Sequence, residues 1–297
     1  MKVDVAIIGA GPAGLSAGIF TSRAGLKTVC FEKLAIGGQA SLSHSIENYP
    51  GFEKISGYEL METMYKHATS VGTEVVFSTV NKVCQTKTGF CLTTNAETYN
   101  AKKLIIATGG KPRKLGLEKE KAFIGKGVSY CASCDGDFFK NKTVAVVGGG
   151  NSAVEAVDYL SPIVKKVYVL NRSEKFKANQ NDIERIKKYK NVHILTNSAV
   201  KDLFGKDVLS KTKVEINGET KNIKTDGLFV TIGREPDLSF LDFDLECDRY
   251  GFIIVDEKMK TNVKNCYACG DIVSKHFKQV VTACADGAIA GNACIGG

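Results

Sequence analysis

The sequence predicts an α/β protein of two parallel-sheet units, the second inserted into the first. Three observations predict it. The chain opens on a strand–glycine–helix stretch, "VDVAIIGAGPAGLSAGIFTSRAG". The same pattern returns in mid-chain as "KTVAVVGGGNSAVEAVDYLSPIVKKVYVLNR". Two further strands, in "AKKLIIATGG" and "KTDGLFVTIGREPD", each end in glycine and bracket the second copy.

Residues 3–8 are apolar except for Asp4, as in a strand covered on both faces. Gly9, Gly11 and Gly14 then form G-x-G-x-x-G, with Pro12 and Ala13 inside the turn. Glycine at those positions permits the tight turn and the close backbone approach that a dinucleotide pyrophosphate requires. "KTVCFEK" is the next strand and ends in Glu32-Lys33, with the acid where a ribose hydroxyl would be bound. Gly148, Gly150 and Ala153 form G-x-G-x-x-A around Asn151 and Ser152, between strands at 144–147 and 167–170. Two Rossmann-like units imply two dinucleotides. The strand ending at Thr108-Gly109-Gly110 leads into a proline-bearing connection, and Pro236 with the acidic loop "LSFLDFDLE" leads back. The reading is therefore a discontinuous FAD-type domain, 1–112 and 244–297, and an inserted NAD(P)H-type domain, 113–243.

Composition narrows the class. The 297 residues are 43% hydrophobic and 24% charged, as in an ordinary soluble globular protein. No apolar run approaches the roughly 20 residues of a membrane span. The N-terminal stretch has the outline of a signal peptide, but Asp4 and the glycine pattern argue against one. The net charge is +8, densest in "RIKKYKN"; with the other lysines scattered, this reads as a solvated helical face rather than a nucleic-acid site.

Ten cysteines over this length are no disulfide scaffold. In a reducing cytoplasm, a C-x-x-C pair is catalytic or metal-binding more often than structural. "YCASCDGDFF" holds Cys131 and Cys134, which read as a redox dithiol, half of a metal site, or two buried small residues. Asp135 beside them can exchange a proton with a thiol. Cys266 and Cys269 in "CYACGD" lie in a predicted strand. Positions i and i+3 of a strand point to opposite faces, which suits neither a disulfide nor chelation. They read as buried small residues. A four-cysteine zinc site would want each pair on a tight knuckle, and the strand removes one.

The order and spacing of "GAGPAG", "GGQ" at 37–39, "ENYPG" at 47–51, "ATGG", "CASCDG", "GGGNSAVEA", "ACGD" and "KQVVTACADGA" resemble the low-molecular-weight thioredoxin reductases. The resemblance covers nearly the whole chain. It implies a cytoplasmic, homodimeric NADPH-dependent flavoprotein that reduces thioredoxin, with no metal, membrane or nucleic-acid role. FAD would be held by the first glycine loop, Glu32, Lys33, Gly38, Gln39, Asn48, Thr108, Gly109, Gly270 and Asp271. Lys278, Gln279 and Val280 would serve it at the start of a helix whose positive end faces the flavin. NADPH would be held by Gly148, Gly150, Asn151, Ser152, Ala153, Arg172 and Lys177. By resemblance Cys134 faces the flavin and Cys131 attacks the partner disulfide, so this pair is the redox dithiol. The resemblance also implies rotation of the inserted domain about connections near 111–116 and 242–248.

Three departures stand out. Ser133 replaces the family's threonine. "NRSEKFK" replaces His-Arg-Arg-x-x-x-Arg, the grip on the 2′-phosphate, so Arg172 and Lys177 carry that charge beside Ser173. The chain after Gly287 is shorter than the family's terminal helix. Other donors, NADH or ferredoxin, and a non-enzymatic flavin or zinc redox-sensing module are the competing readings.

Overall fold

Hydrophobic patterning accounts for the elements of the first unit. In the computed structural model, which describes residues 1–43 and 45–296, the first apolar run forms β1 (Lys2–Ile8), buried at Val3 and from Val5 to Ile8. It is followed by α1 (Pro12–Arg23), β2 (Thr28–Glu32), α2 (Gly57–Ser70) and β3 (Glu74–Phe77). A hairpin of β4 (Val80–Thr86) and β5 (Gly89–Thr94) leads to β6 (Thr98–Ile106). The chain leaves through β7 (Lys111–Pro112).

The second unit runs through α3 (Glu120–Phe123), β8 (Val128–Ser129), α4 (Ala132–Asp135), β9 (Thr143–Val147) and α5 (Asn151–Leu160). Next come β10 (Lys166–Leu170), α6 (Gln180–Lys187) and β11 (Val192–Leu195). A meander of β12 (Ser198–Gly205), β13 (Leu209–Ile216) and β14 (Glu219–Lys224) precedes β15 (Gly227–Val230) and β16 (Arg234–Glu235). Back in the first unit are β17 (Cys266–Ala268) and α7 (Val280–Ile295).

The first unit comprises Met1–Lys111 and Glu235–Gly297, the second Pro112–Arg234. In the first, β3-β2-β1-β6 is parallel. β6 pairs with β1 along one edge; its other edge takes β5, antiparallel, up to Ala101 and β17, parallel, from Leu104. In the second unit β11-β10-β9-β15-β8 is parallel, and β12-β13-β14 forms a separate antiparallel sheet. No helix of the described residues is long and apolar enough to cross a membrane.

The return to the first unit falls between Arg234 and Glu235, not at the 243/244 boundary expected from sequence. The acidic loop is the reason. Its apolar residues Leu238, Phe240, Leu241 and Phe243 pack on the core of the first unit. Val83 N–H donates to Phe240 O (2.7 Å), and Asp242 N–H donates to Val83 O (2.9 Å). A stretch that reads as a polar linker is in fact half-buried chain lying along β4. The outward crossing lies at Lys111/Pro112, one residue before the expected one.

α1 and α7 meet through small residues. A methyl group on Gly287 would fall 2.1 Å from Ala13 O, and one on Gly291 2.8 Å from Ala17 O. Ser16 Oγ donates to Cys284 O across the contact (2.7 Å). Glycine is thus required for the spacing of the helices. Gly287→Ala is expected to lower stability by about 1–3 kcal/mol through overpacking. Gly150→Ala, at φ −97° with open space around it, should leave the thermal midpoint unchanged; calorimetry of the two variants tests this.

Candidate active site

At the end of β1 the chain turns at Gly9, whose φ is +105° and whose added methyl would lie 2.5 Å from Ala107 O. A methyl on Gly14 would fall 1.8 Å from Gly9 O. Both positions therefore exclude any side chain. α1 starts at Gly11 without a side-chain cap, which leaves its first turn of N–H groups for a ligand. Glu32 is buried at the end of β2 and fixes the loops on either side. Its carboxylate accepts from Ala10 N–H (3.1 Å) and Leu34 N–H (3.0 Å). Lys33, Gly38 and Gln39 are exposed beyond it. The Thr108 hydroxyl, beside Gly9, is buried without a hydrogen-bond partner. An uncapped helix start, an orphaned hydroxyl and glycines that keep the backbone bare fit a dinucleotide such as FAD.

The start of α7 joins this loop in the first unit. Gln279 Oε1 accepts from Asn48 Nδ2 (3.0 Å), so two of the sequence-predicted residues touch. Val280 packs on the cluster of Ala40, Ile46, Leu60 and Met61. Lys278 Nζ donates to Asp271 O (2.8 Å) and lies 3.2 Å from the centre of the Phe252 ring. Burial pulls the Lys278 amine below the usual lysine range. Gly270, at φ +79°, donates its N–H to Asp286 Oδ2 (3.1 Å). The same oxygen pairs with Lys275 Nζ at 2.5 Å, both side chains being largely buried. This pair ties α7 to the turn carrying Asp271.

In the second unit, Gly148 stands at φ +143°, and a methyl there would fall 2.5 Å from Thr231 O. α5 starts at Gly150, again without a side-chain cap. Asn151 Oδ1 accepts from Asn179 N–H (3.0 Å), and Ala153 is fully buried. Ser152, Arg172 and Lys177 are exposed. Lys177 N–H donates to Gly149 O (2.7 Å), which sets residue 177 beside the glycine loop. Asn171 is buried; its amide donates to Ser173 O (2.9 Å) and Lys175 O (3.1 Å). It therefore shapes the basic loop from beneath. These features fit a nicotinamide dinucleotide, with two cations and no carboxylate from Asn171.

Cys131 and Cys134 form a disulfide with Cα atoms 5.4 Å apart. Cys131 caps α4, its Sγ accepting from Cys134 N–H (3.1 Å). Asp135 Oδ2 accepts from Ser129 Oγ (2.6 Å), and the same hydroxyl accepts from Cys131 N–H (3.0 Å). Ser129 thus links the carboxylate to the cysteine turn. Upstream, Glu120 is buried and accepts from Leu115 N–H (3.0 Å), Gly116 N–H (2.9 Å) and Tyr130 Oη (2.7 Å). Burial and Glu120 push the Tyr130 hydroxyl up. Cys134 is exposed.

The other thiols differ. Cys266 and Cys269 are buried and reduced, and they belong to different core clusters, as opposite strand faces require. Burial pushes the Cys266 thiol up to about 12. Among the described residues no group of three or more His, Cys, Asp or Glu could hold a metal. In the basic patch Arg185 pairs with Asp158 and Asp182, and Lys187 with Glu184. Ser129, Glu120, Lys275 and Asp286 were not singled out by the sequence reading; only Asp286, inside "KQVVTACADGA", lay in a quoted motif.

Two glycine loops at uncapped helix starts, one per unit, together with a C-x-x-C disulfide, define a dinucleotide-dependent disulfide oxidoreductase. The chain belongs to the pyridine nucleotide-disulphide oxidoreductase family, which matches residues 3–287. It is 42% identical over 291 residues to a thioredoxin reductase of Mycoplasma genitalium, covering 97% of this chain and 92% of that one. Among solved structures, a Lactococcus lactis thioredoxin reductase superposes with a TM-score of 0.94 at 35% identity, covering 99% of this chain and 98% of the other. A T. acidophilum thioredoxin reductase gives 0.93 at 36% identity with the same coverage.

Removing the buried amide should loosen the 173–177 loop. Asn171→Ala is expected to lower stability by about 1–3 kcal/mol, the loss of satisfied buried hydrogen bonds. Ser173→Ala, at an exposed position, should leave the melting temperature within error of the parent protein.

Proposed function

We propose that this chain is a thioredoxin reductase that uses NADPH and FAD and passes electrons through Cys131 and Cys134 to the disulfide of a thioredoxin. The observation that carries the reading is the Cys131–Cys134 disulfide, set on a turn whose Asp135 is held by Ser129. FAD, when bound, supplies the two-electron relay between nicotinamide and disulfide. In the first unit Gly9, Gly11, Pro12, Ala13 and Gly14 present the bare turn and helix start to its pyrophosphate, with Glu32 and Lys33 on its ribose side. Gly38, Gln39, Asn48, Thr108 and Gly109 contribute on the loop side. Gly270 and Asp271, with Lys278, Gln279 and Val280, contribute from the α7 side. In the second unit Gly148, Gly150, Asn151, Ser152 and Ala153 hold the NADPH pyrophosphate, and Arg172 and Lys177 its 2′-phosphate.

Once the disulfide is reduced, the Cys131 thiolate attacks one sulfur of thioredoxin and releases the other as a thiolate. Cys134 then attacks the Cys131 sulfur, freeing the second thioredoxin thiol and restoring the intramolecular disulfide. Asp135 takes the proton from the Cys134 thiol before that attack and returns it to the leaving sulfur. The Ser129 hydrogen bond holds the carboxylate for both transfers. The same reading makes the protein cytoplasmic and a homodimer, which light scattering tests as twice the 32.0 kDa chain mass.

Cys131→Ser and Cys134→Ser are each expected to abolish thioredoxin reduction while the protein stays yellow and is bleached by NADPH. Survival of thioredoxin reduction in either variant would falsify the assignment of the pair. Cys266→Ala and Cys269→Ala should keep most of the activity. Asp135→Asn should lower kcat by about 10²–10⁴-fold, the range for loss of a positioned acid–base.

The donor is tested through the basic loop. The parent enzyme should show the higher kcat/KM with NADPH, and Arg172→Ala should reduce that value roughly ten- to hundredfold, as for a lost charge-assisted hydrogen bond. The NADH value should stay nearly constant. Equal losses with both nucleotides would remove Arg172 from the 2′-phosphate, and a parent enzyme favouring NADH would overturn the donor.

A further inference from the structure

Cys84 and Cys91 face each other in the β4–β5 hairpin as direct partners of the antiparallel register. Both thiols are half-buried and reduced. Neither belongs to the glycine loops, the start of α7 or the Cys131–Cys134 turn. Directly opposed residues in an antiparallel pair have Cα atoms about 4.5–5.5 Å apart. A disulfide spans roughly 4.4–6.8 Å between Cα atoms, so the backbone as it stands can be bridged. The next pair, Val83 and Leu92, is fully buried in the core. Because side chains alternate along a strand, the two thiols share the opposite, partly solvated face.

A third group meets them. The Cys84 thiol donates to Asp242 Oδ2 (3.5 Å), and Lys82 Nζ lies 3.0 Å from the same oxygen. Asp242 is held there by its N–H donating to Val83 O (2.9 Å). Burial and the Asp242 carboxylate push the Cys84 thiol up, which keeps it protonated while the pair is reduced.

We infer that Cys84 and Cys91 are a second dithiol site, which takes a low-molecular-weight disulfide, RSSR, as oxidant and closes to a cross-strand disulfide. Asp242 retains the Cys84 proton, so Cys91 reacts first. Its thiolate attacks one sulfur of RSSR, breaking the S–S bond, forming Cys91–S–S–R and releasing RS⁻. Cys84 then gives up its proton and attacks the Cys91 sulfur, releasing the second RS⁻. The two cysteines are oxidised by two electrons, RSSR is reduced to two RSH, and the two cysteine protons end on those thiols. The site is independent of the electron route through Cys131 and Cys134.

Trypsin provides the readout, since Lys82, Lys87 and Lys102 bound two fragments, 83–87 and 88–102, each with one of these cysteines. The full-length protein is incubated with excess oxidised glutathione, alkylated under denaturing conditions, digested and weighed. The expected product is the two fragments joined, lighter by two hydrogen atoms than their sum, in an amount that rises with oxidant. Cys84→Ser should instead leave glutathione on Cys91, and Asp242→Asn should speed cross-linking severalfold. Glutathione on the free, exposed Cys247 in the same digest reports that the oxidant has reacted with accessible thiols. If Cys247 carries glutathione while 83–87 and 88–102 are recovered apart and alkylated, the proposal fails. It fails equally if Cys84→Ser carries no adduct on Cys91.

Discussion

The short distance between α1 and α7 is the constraint on which the first unit depends. It exists because Gly287 and Gly291 lie against the backbone of Ala13 and Ala17, with no room for a methyl between them. α1 follows the carboxyl end of β1, and the Gly270-Asp271 turn follows the carboxyl end of β17. Since β1, β6 and β17 are parallel, these ends share one rim of the sheet, where open α/β sheets bind their ligands. Packing of the two helices therefore brings the Gly11 and Gln279 helix starts to the same rim. The Lys275–Asp286 pair secures that arrangement through the Gly270 N–H.

Burial sorts the cysteines by chemistry. Cys30, Cys266, Cys269 and Cys294 are packed in the core, and loss of hydration pushes each thiol up. A buried thiol held protonated is a small apolar residue in practice. Cys131 and Cys134 sit instead on a short surface turn, with a carboxylate one residue away. Identical C-x-x-C spacing thus has opposite meanings at 131–134 and 266–269. A helical turn brings i and i+3 together, whereas a strand sends them to opposite faces.

That contrast was legible in the letters, because strand alternation and turn residues are local properties. So were both glycine loops, where Gly9, Gly14 and Gly148 admit no side chain. Other parts depended on distant chain. Ser129 carries no motif, and its role appears only when β8 sets it beside the Asp135 carboxylate. In the sequence Asn171 shows only as part of the departure from the family's basic motif, whereas in the structure its amide turns inward to shape the loop that carries Arg172. The acidic run after Pro236 reads as a connection because its charges are visible in sequence. Phe240 and Leu241, lying against the core of the first unit, are what place it there.

The ends of the second unit lie together: Arg113 N–H donates to Gly233 O (3.0 Å). This matters for how the chain finds its fold. β6 must recruit β17 across the whole inserted segment, and closing a loop loses entropy that grows with the logarithm of its length. A second unit that folds first joins its own ends and shortens the effective loop between β6 and β17 roughly fourfold, which lowers the closure penalty by about 1.2 kcal/mol. The insertion then acts as a brace rather than an encumbrance. An insertion that collapsed on its own would draw the two halves of the first sheet toward their parallel register.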